Sequence, residues 1–414
     1  MATVKPFPAL RPRRDVAGTV ASPPYDVLNS EEAREMAAGN PISFLHINKP
    51  EIDLSPDTDH YSDAVYSKGR ENLMRFIEEG VMKQDEQPCF YLYAQKMGDH
   101  RQVGLVAAAS VQEYIDDKIK KHELTREKKE RDRVKHIDTL NAQVGPVFLT
   151  YKAVPEIDAL LEEIQEKEPE ADFVSPDGIQ HTLWVIGSHK RIEKIATLFK
   201  QVDVLYVADG HHRSAAAQII CKDRREKNPD YTGAEPWNYF LTVIFPDDQM
   251  MILPYNRVVK DLNGLTVDEF LAKAGDKFEI EEAAGAFEPE TKKVFGMYLD
   301  GKWWKLTAKV GTFDESDPVN SLDAAILQNN LLAEILGIGD PRTDERIDFV
   351  GGIRGLGELE KRVNSGEMKL AFSLHATSIE QLMAIADAGK IMPPKSTWFE
   401  PKLRSGLVVH RIGE

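Results

Sequence analysis

The chain has 414 residues, 42% hydrophobic and 29% charged, with a formal net charge of −16. This is globular composition, long enough for two or three domains, and its acidity makes the chain a poor general binder of nucleic-acid phosphates. The two cysteines, Cys89 and Cys221, stand far apart in no metal-type spacing, which argues against a disulfide scaffold or a zinc finger and fits a reducing cytoplasm.

No run of about 18 apolar residues predicts a membrane span, and the opening MATVKPFPALRPRRD lacks the apolar core of a secretory signal. Pro23-Pro24 precludes a regular helix there. Ser30 followed by Glu31 and Glu32 predicts an N-capped short helix ending near Gly39. A helix is expected over 61–80. Strands over 90–95 and 103–111 read as a hairpin around Met97-Gly98-Asp99. Leu124 to Val144 reads as a helix with Val134, Ile137, Leu140 and Val144 on one face. A buried strand follows over 146–151, then helices over 157–166 and 188–200 flanking a strand near 181–186.

The stretch VDVLYVADGHHRSAAAQII, from Val202 to Ile220, reads as strand, glycine turn, helix. A second hairpin is expected from 239–245 and 251–259. A seam is expected near 261–264. Beyond it come a helix over 267–274, a strand pair around Asp300-Gly301, a helix over 322–336, a strand over 369–374 and a helix over 378–388. Strands and helices mix without strict alternation, which predicts an α+β fold of mixed sheets, hairpins and packed helices. The expected domains are 1–260, with an N-terminal extension, and 261–414, whose final segment docks back near the core. Neither a Walker loop nor a dinucleotide fingerprint is present in the sequence.

Three stretches carry chemistry. At Asp209–Arg213 a strand-to-helix turn leaves N–H groups free at a helix start, a natural anion site. Arg213 adds a guanidinium fork, and Asp209 can take a proton or hold Mg²⁺. His211 and His212 are adjacent, so they cannot both address one ligand. The alternative is a capped helix with packed histidines. The second stretch is IKKHELTREKKERDRVKHID. Thr125 can cap a helix, Arg126, Lys129 and Arg133 recur at spacings of three and four, and Glu123 can act as a base. The alternative is a solvated charged face. His122 lacks the second histidine of the zinc-protease pattern. The third is PPKSTWFEPKLRSG, with Lys395, Ser396 and Thr397, and Lys402 and Arg404 as further cations. Asp26, after Pro23-Pro24-Tyr25, and Arg257, in LPYNRVV, are weaker candidates.

Together ASPPYDV, HELT with its basic run, DGHHRSAAA, LPYNRVV and PPKSTWFEPKLRSGL resemble the family labelled SpoOJ/ParA/ParB/RepB-like, in the right order along nearly the whole chain. The family belongs with the ParB/sulfiredoxin-like fold, whose relatives include sulfiredoxin, the CTP-binding part of ParB and free-serine kinases. The resemblance implies that Gly210, His211 and Arg213 cradle nucleotide phosphates, with Arg126, Lys129 and Arg133 neutralising them. It places Asp209, with Mg²⁺, at the transfer site, and Glu123 and His212 as further catalytic groups. Asp26, Arg257, Lys395, Ser396 and Thr397 would touch substrate or close the site. The turn lacks sulfiredoxin's reactive cysteine, and no helix-turn-helix reader accompanies it, so a DNA partner is not expected. The function implied is phosphoryl transfer from ATP or ADP to a small hydroxyl compound, free L-serine among them. The alternative is a nucleotide-binding regulatory switch acting on a protein or DNA partner.

Overall fold

The computed structural model describes residues 2–413. They divide into two compact units: one runs up to Met250 and resumes from Pro401, and the other is Met251–Glu400. The first division thus falls ahead of the seam expected at 261–264, and the last residues belong with the first unit.

The first unit is built on a mixed sheet of nine strands: β1 (Val4–Lys5), β2 (Phe90–Met97), β3 (His100–Ser110), β4 (Ile119–Lys120), β5 (Val147–Tyr151), β6 (Ala171–Val174), β7 (Gln180–Ile186), β8 (Leu205–Asp209) and β9 (Tyr239–Pro246). Their order is β4-β8-β5-β9-β3-β2-β7-β6, with β1 added along β3. The β4–β8 and β5–β9 pairs are parallel and the rest antiparallel. Strands β5, β8 and β9 read VFLTY, LYVAD and YFLTVIFP and are buried almost throughout, as central strands covered on both faces must be. Their side chains meet Ile157, Leu161, Ile195, Phe199, Ala216 and Ile220 in one core. Helices α1 (Asp63–Glu78), α2 (Glu127–Leu140) and α3 (His211–Lys227) belong to this unit, with α2 packed between α1 and α3. The sequence TREKKERDR hid where α2 begins. Thr125 does not cap it but donates to Glu130, and the helix starts at Glu127, after Arg126. It ends at Asn141, whose left-handed φ of 52° closes the last turn, so Val144 lies beyond it.

The returning segment threads this unit. Ser405 and Ser22 exchange backbone bonds of 3.1 and 2.9 Å, Leu10 bridges Val409, and His410–Arg411 pairs with Ala142–Gln143. Arg404 is buried, donating to His181 Nε2 at 3.2 Å and Ser175 Oγ at 3.0 Å, and pairs with Asp177.

The second unit holds a six-stranded antiparallel sheet: β10 (Tyr255–Val259), β11 (Phe278–Glu282), β12 (Val294–Leu299), β13 (Lys302–Ala308), β14 (Ile347–Gly351) and β15 (Leu370–Leu374), in the order β11-β13-β12-β15-β10-β14. Phe270, Phe295, Leu327, Leu336 and Phe372 lie in its core. Asp300 and Gly301 both have positive φ, 54° and 79°, the two-residue turn that the twist of a hairpin favours.

Two expectations fail on topology. Residues 251–259 do not hairpin with β9. Both edges of β9 are already taken by β5 and β3, and Pro254 splits the run, so Met251–Leu253 pairs with Trp398–Glu400 and β10 enters the second sheet. The helix expected over 322–336 is α-helical only for Asp323–Leu327 and widens to a π-helix over Gln328–Ala333. A smaller correction concerns the short helix Ser30–Ala37: its cap is Asn29, which accepts from Glu31 and Glu32 in a capping box. No helix among the described residues is long and apolar enough to cross a membrane.

Candidate functional site

Strand β8 ends at Asp209 with a register shift between Val207 and Asp209. Gly210 then turns the chain with φ +100° and ψ 28°, and α3 begins at His211. A side chain could not follow this path without strain. A Cβ at Gly210 would also sit 3.1 Å from Arg213 Nε. No side chain caps this helix start, so the capped-helix alternative with Asp209 as cap does not hold. Ala215, Ala216 and Ala217 are buried, which lets α3 lie close to the sheet.

Arg213 points back over the turn. It is buried, donates from Nη1 to the Pro146 carbonyl, and its Nε has no hydrogen-bond partner. Its Nη2 lies 3.9 Å from Asp209 and 4.0 Å from Asp26, loose contacts for an ion pair. Asp209 faces the Lys402 ammonium at 3.4 Å. Burial raises the Asp209 pKa, but Lys402, Arg213 and His211 together outweigh it and hold the carboxyl well below the usual carboxylate range. It is therefore an ionised group among cations, suited to holding charge and weak as a proton acceptor.

His211 turns inward. It is buried edge-on to His122, the ring centroids 4.4 Å apart at 88°, and its Nδ1 lies 3.7 Å from Glu123 Oε2. Burial lowers the pKa of both rings, that of His122 to about 4 against the pull of Val207 and Asp209. His212 is half-buried and accepts at Nε2 from the Arg126 backbone N–H at 3.1 Å, tying the start of α2 to the turn. Burial also lowers its pKa, against Asp26 and Glu130.

The three cations expected to share one face of α2 part company. Arg126 precedes the helix and Lys129 is exposed, but Arg133 is buried. Its guanidinium stacks 3.8 Å over the Tyr25 ring and pairs with Asp132 at 2.8 Å, so its charge is already matched. Burial and Asp26 push the Tyr25 hydroxyl up to about 12. Tyr25, Asn48, Arg133, Gly145 and Arg213 line one small pocket.

Arg257, Lys395, Ser396 and Thr397 belong to the second unit. Arg257 is buried on β10, 5.5 Å over the Phe349 ring, with burial lowering its pKa to about 10. Lys395 lies 5.3 Å over the Tyr255 ring, Ser396 donates to the Pro393 carbonyl at 2.7 Å, and Thr397 is half-buried.

Residues 4–325 match the family model described as a protein of unknown function, DUF1015. The chain belongs to the DUF1015 family. The ParB/sulfiredoxin-like label inferred from the motifs is not what this match names. No curated protein matches this DUF1015 chain. Among solved structures it is similar to a free serine kinase in complex with AMP, at 15% identity and a TM-score of 0.36, over 73% of this chain and 92% of that one. A conserved hypothetical protein from Pyrococcus furiosus gives 15% and 0.34 over 73% and 95%. SbnI from Staphylococcus aureus, truncated at its C-terminus, gives 11% and 0.32 over 73% and 86%. These likenesses are distant.

Sequence reasoning singled out Asp209, Gly210, Arg213, Glu123 and Asp26, which the fold brings to one end of β8. It underrated His122, and it noted Lys402 only as a cation. Nothing local marks either: Lys402 meets Asp209 across 193 residues of chain.

Proposed function

We propose that this protein is a nucleotide-dependent phosphotransferase that moves a phosphoryl group to the hydroxyl of a small acceptor, with free L-serine the first compound to try. The carrying observation is Arg213: a buried guanidinium at an uncapped helix start, with an unpartnered Nε and carboxylates no nearer than 3.9 Å. Such a cation is preorganised for phosphate oxygens, which would satisfy it and the turn's N–H groups together. Gly210 lets those oxygens approach the backbone, Lys402 adds positive charge beside Asp209, and Arg126 and Lys129 supply solvent-side cations.

Phosphoryl transfer needs in-line positioning, neutralised phosphates and an acceptor for the hydroxyl proton. The bond from phosphorus to the leaving nucleotide oxygen breaks, a bond to the acceptor oxygen forms, and the proton passes to a carboxylate. Glu123, half-buried and outside the Lys402–Arg213 cation pair, fits that last role better than Asp209. His212 acts by positioning Arg126. Mg²⁺ arriving with the nucleotide would be held by Asp209 and phosphate oxygens and would neutralise charge on the transferred group.

The test is a thermal-shift panel of ATP, ADP, CTP and GTP with Mg²⁺, on wild type, Arg213→Ala and Asp209→Asn. A ligand at 100 times its Kd adds about 2.7 kcal/mol to native stability. A shift in wild type that Arg213→Ala abolishes supports the site, and substrate screening follows. Unchanged shifts and turnover in both variants would overturn it. Retained nucleotide binding without turnover on any hydroxyl would favour a regulatory switch.

A further inference from the structure

The three groups beside the turn pose a separate question. His122 and His211 are both buried, and three of their four ring nitrogens, His122 Nδ1 and Nε2 and His211 Nε2, have no hydrogen-bond partner. Other buried histidines of the same unit each hold at least one ring hydrogen bond, and His410 leaves only its Nδ1 unpartnered, whereas His122 leaves both nitrogens so. His181 bonds Tyr93 at 2.7 Å, His136 bonds the Ile47 carbonyl at 2.9 Å and His410 bonds the Pro236 carbonyl at 3.1 Å. Buried polar atoms are almost always satisfied, and a local cluster that is not wants a partner from outside the chain.

We propose that His122, Glu123 and His211 bind one divalent transition-metal ion of the zinc class. One ligand atom from each lies within 4.8 Å of the other two. Bonds of about 2.0–2.1 Å to a tetrahedral ion place ligand atoms roughly 3.4 Å apart, so the set must draw in by about an ångström. Glu123, with 41% of its side chain exposed, has the freedom to do so and opens a path for the ion. The two imidazoles are held more firmly. His122 follows β4, His211 opens α3, and β4 pairs directly with β8.

Two nitrogens and one carboxylate oxygen select zinc, cobalt, nickel, iron or manganese over Mg²⁺, which prefers an all-oxygen shell. The site is therefore chemically distinct from an Mg²⁺ held by Asp209. Three protein ligands leave a position open to solvent or to a small anion. Glu123 would bind through the oxygen nearest His211 and keep its other oxygen for the acceptor. The inference rests on the unpartnered imidazoles and not on phosphotransfer, although Glu123 is shared with that reading.

The experiment uses the full-length protein, stripped with a chelator and dialysed. Zn²⁺ binding is measured by competition with a chromophoric chelator and by elemental analysis. The expected result is one equivalent bound to wild type in the presence of excess Mg²⁺, with affinity weakened at least about tenfold in His122→Gln and His211→Gln. No bound zinc, or the same affinity in both variants, overturns the proposal. If the variants misfold, the wild type alone decides through Co²⁺. Intense visible absorption from a low-symmetry site, displaced by one equivalent of Zn²⁺, supports the proposal. The weak spectrum of hydrated Co²⁺ overturns it. Arg213→Ala should bind zinc as wild type does, so loss of nucleotide binding and loss of metal binding report on different ideas.

Discussion

Arg213 and Arg133 are both buried arginines on one pocket, and their partners separate their roles. Arg133 has a close carboxylate in Asp132 and an aromatic face in Tyr25, and Asp132 also accepts from Tyr66 at 2.8 Å. Removing one member of such a pair strands a charge in a low-dielectric setting. Arg133→Met is therefore expected to lower stability by about 3 kcal/mol in urea denaturation, with any loss of nucleotide affinity secondary to that. Lys129→Ala should leave stability within about 0.5 kcal/mol while weakening nucleotide binding more at low salt than at high. If Lys129→Ala destabilises the fold and Arg133→Met does not, the two residues have been assigned the wrong way round.

The working element is strand, glycine, helix. Gly210→Ala forces an L side chain to φ +100° with its Cβ against the Arg213 guanidinium. A non-glycine residue in that region costs about 1–2 kcal/mol, and the displaced guanidinium should cost nucleotide affinity as well. Equal melting temperatures and equal nucleotide shifts for Gly210→Ala and wild type would show that the turn is not rigid. This element was legible in the sequence because its signals are local: a β-branched run, one glycine, three alanines. The same holds for the hairpin tip at Asp300-Gly301 and the buried strand β5. The false hairpin over 239–259 looked equally clear. Adjacency in sequence cannot reveal that both edges of β9 are filled by β3 and β5. At the site, the basic run gave the helix but neither its ends nor a common face for its cations, because burial of Arg133 depends on Tyr25 from a distant loop.

At the scale of the whole molecule, the first unit carries several neutral buried imidazoles. Burial lowers the pKa of His136 and His410 to about 4 and of His181 to about 3, from an ordinary 6.5. Each group binds a proton more readily in the unfolded chain than in the folded one. Stability is therefore full above about pH 6.5 and falls as the pH drops toward 4, where the unfolded state takes up the protons. The melting temperature should fall steeply across that window, and His136→Gln or His410→Gln should flatten the fall if the protein folds. A melting temperature that stays level down to pH 4 would mean that these rings are protonated in the native state.

The interruption of the first unit by the second also has a consequence in time. Asp209 and Lys402 are separated by 193 residues, among them all of Met251–Glu400. At the usual pace of synthesis, 5–20 residues per second, the ribosome makes the cation roughly 10–40 s after the acid it faces. For that interval β8 and its glycine turn exist without the Lys402 charge, and Tyr93, Ser175 and His181 exist without Arg404. The anion pocket is thus half assembled while the second unit is being made, and it gains its final charge only when the tail threads home.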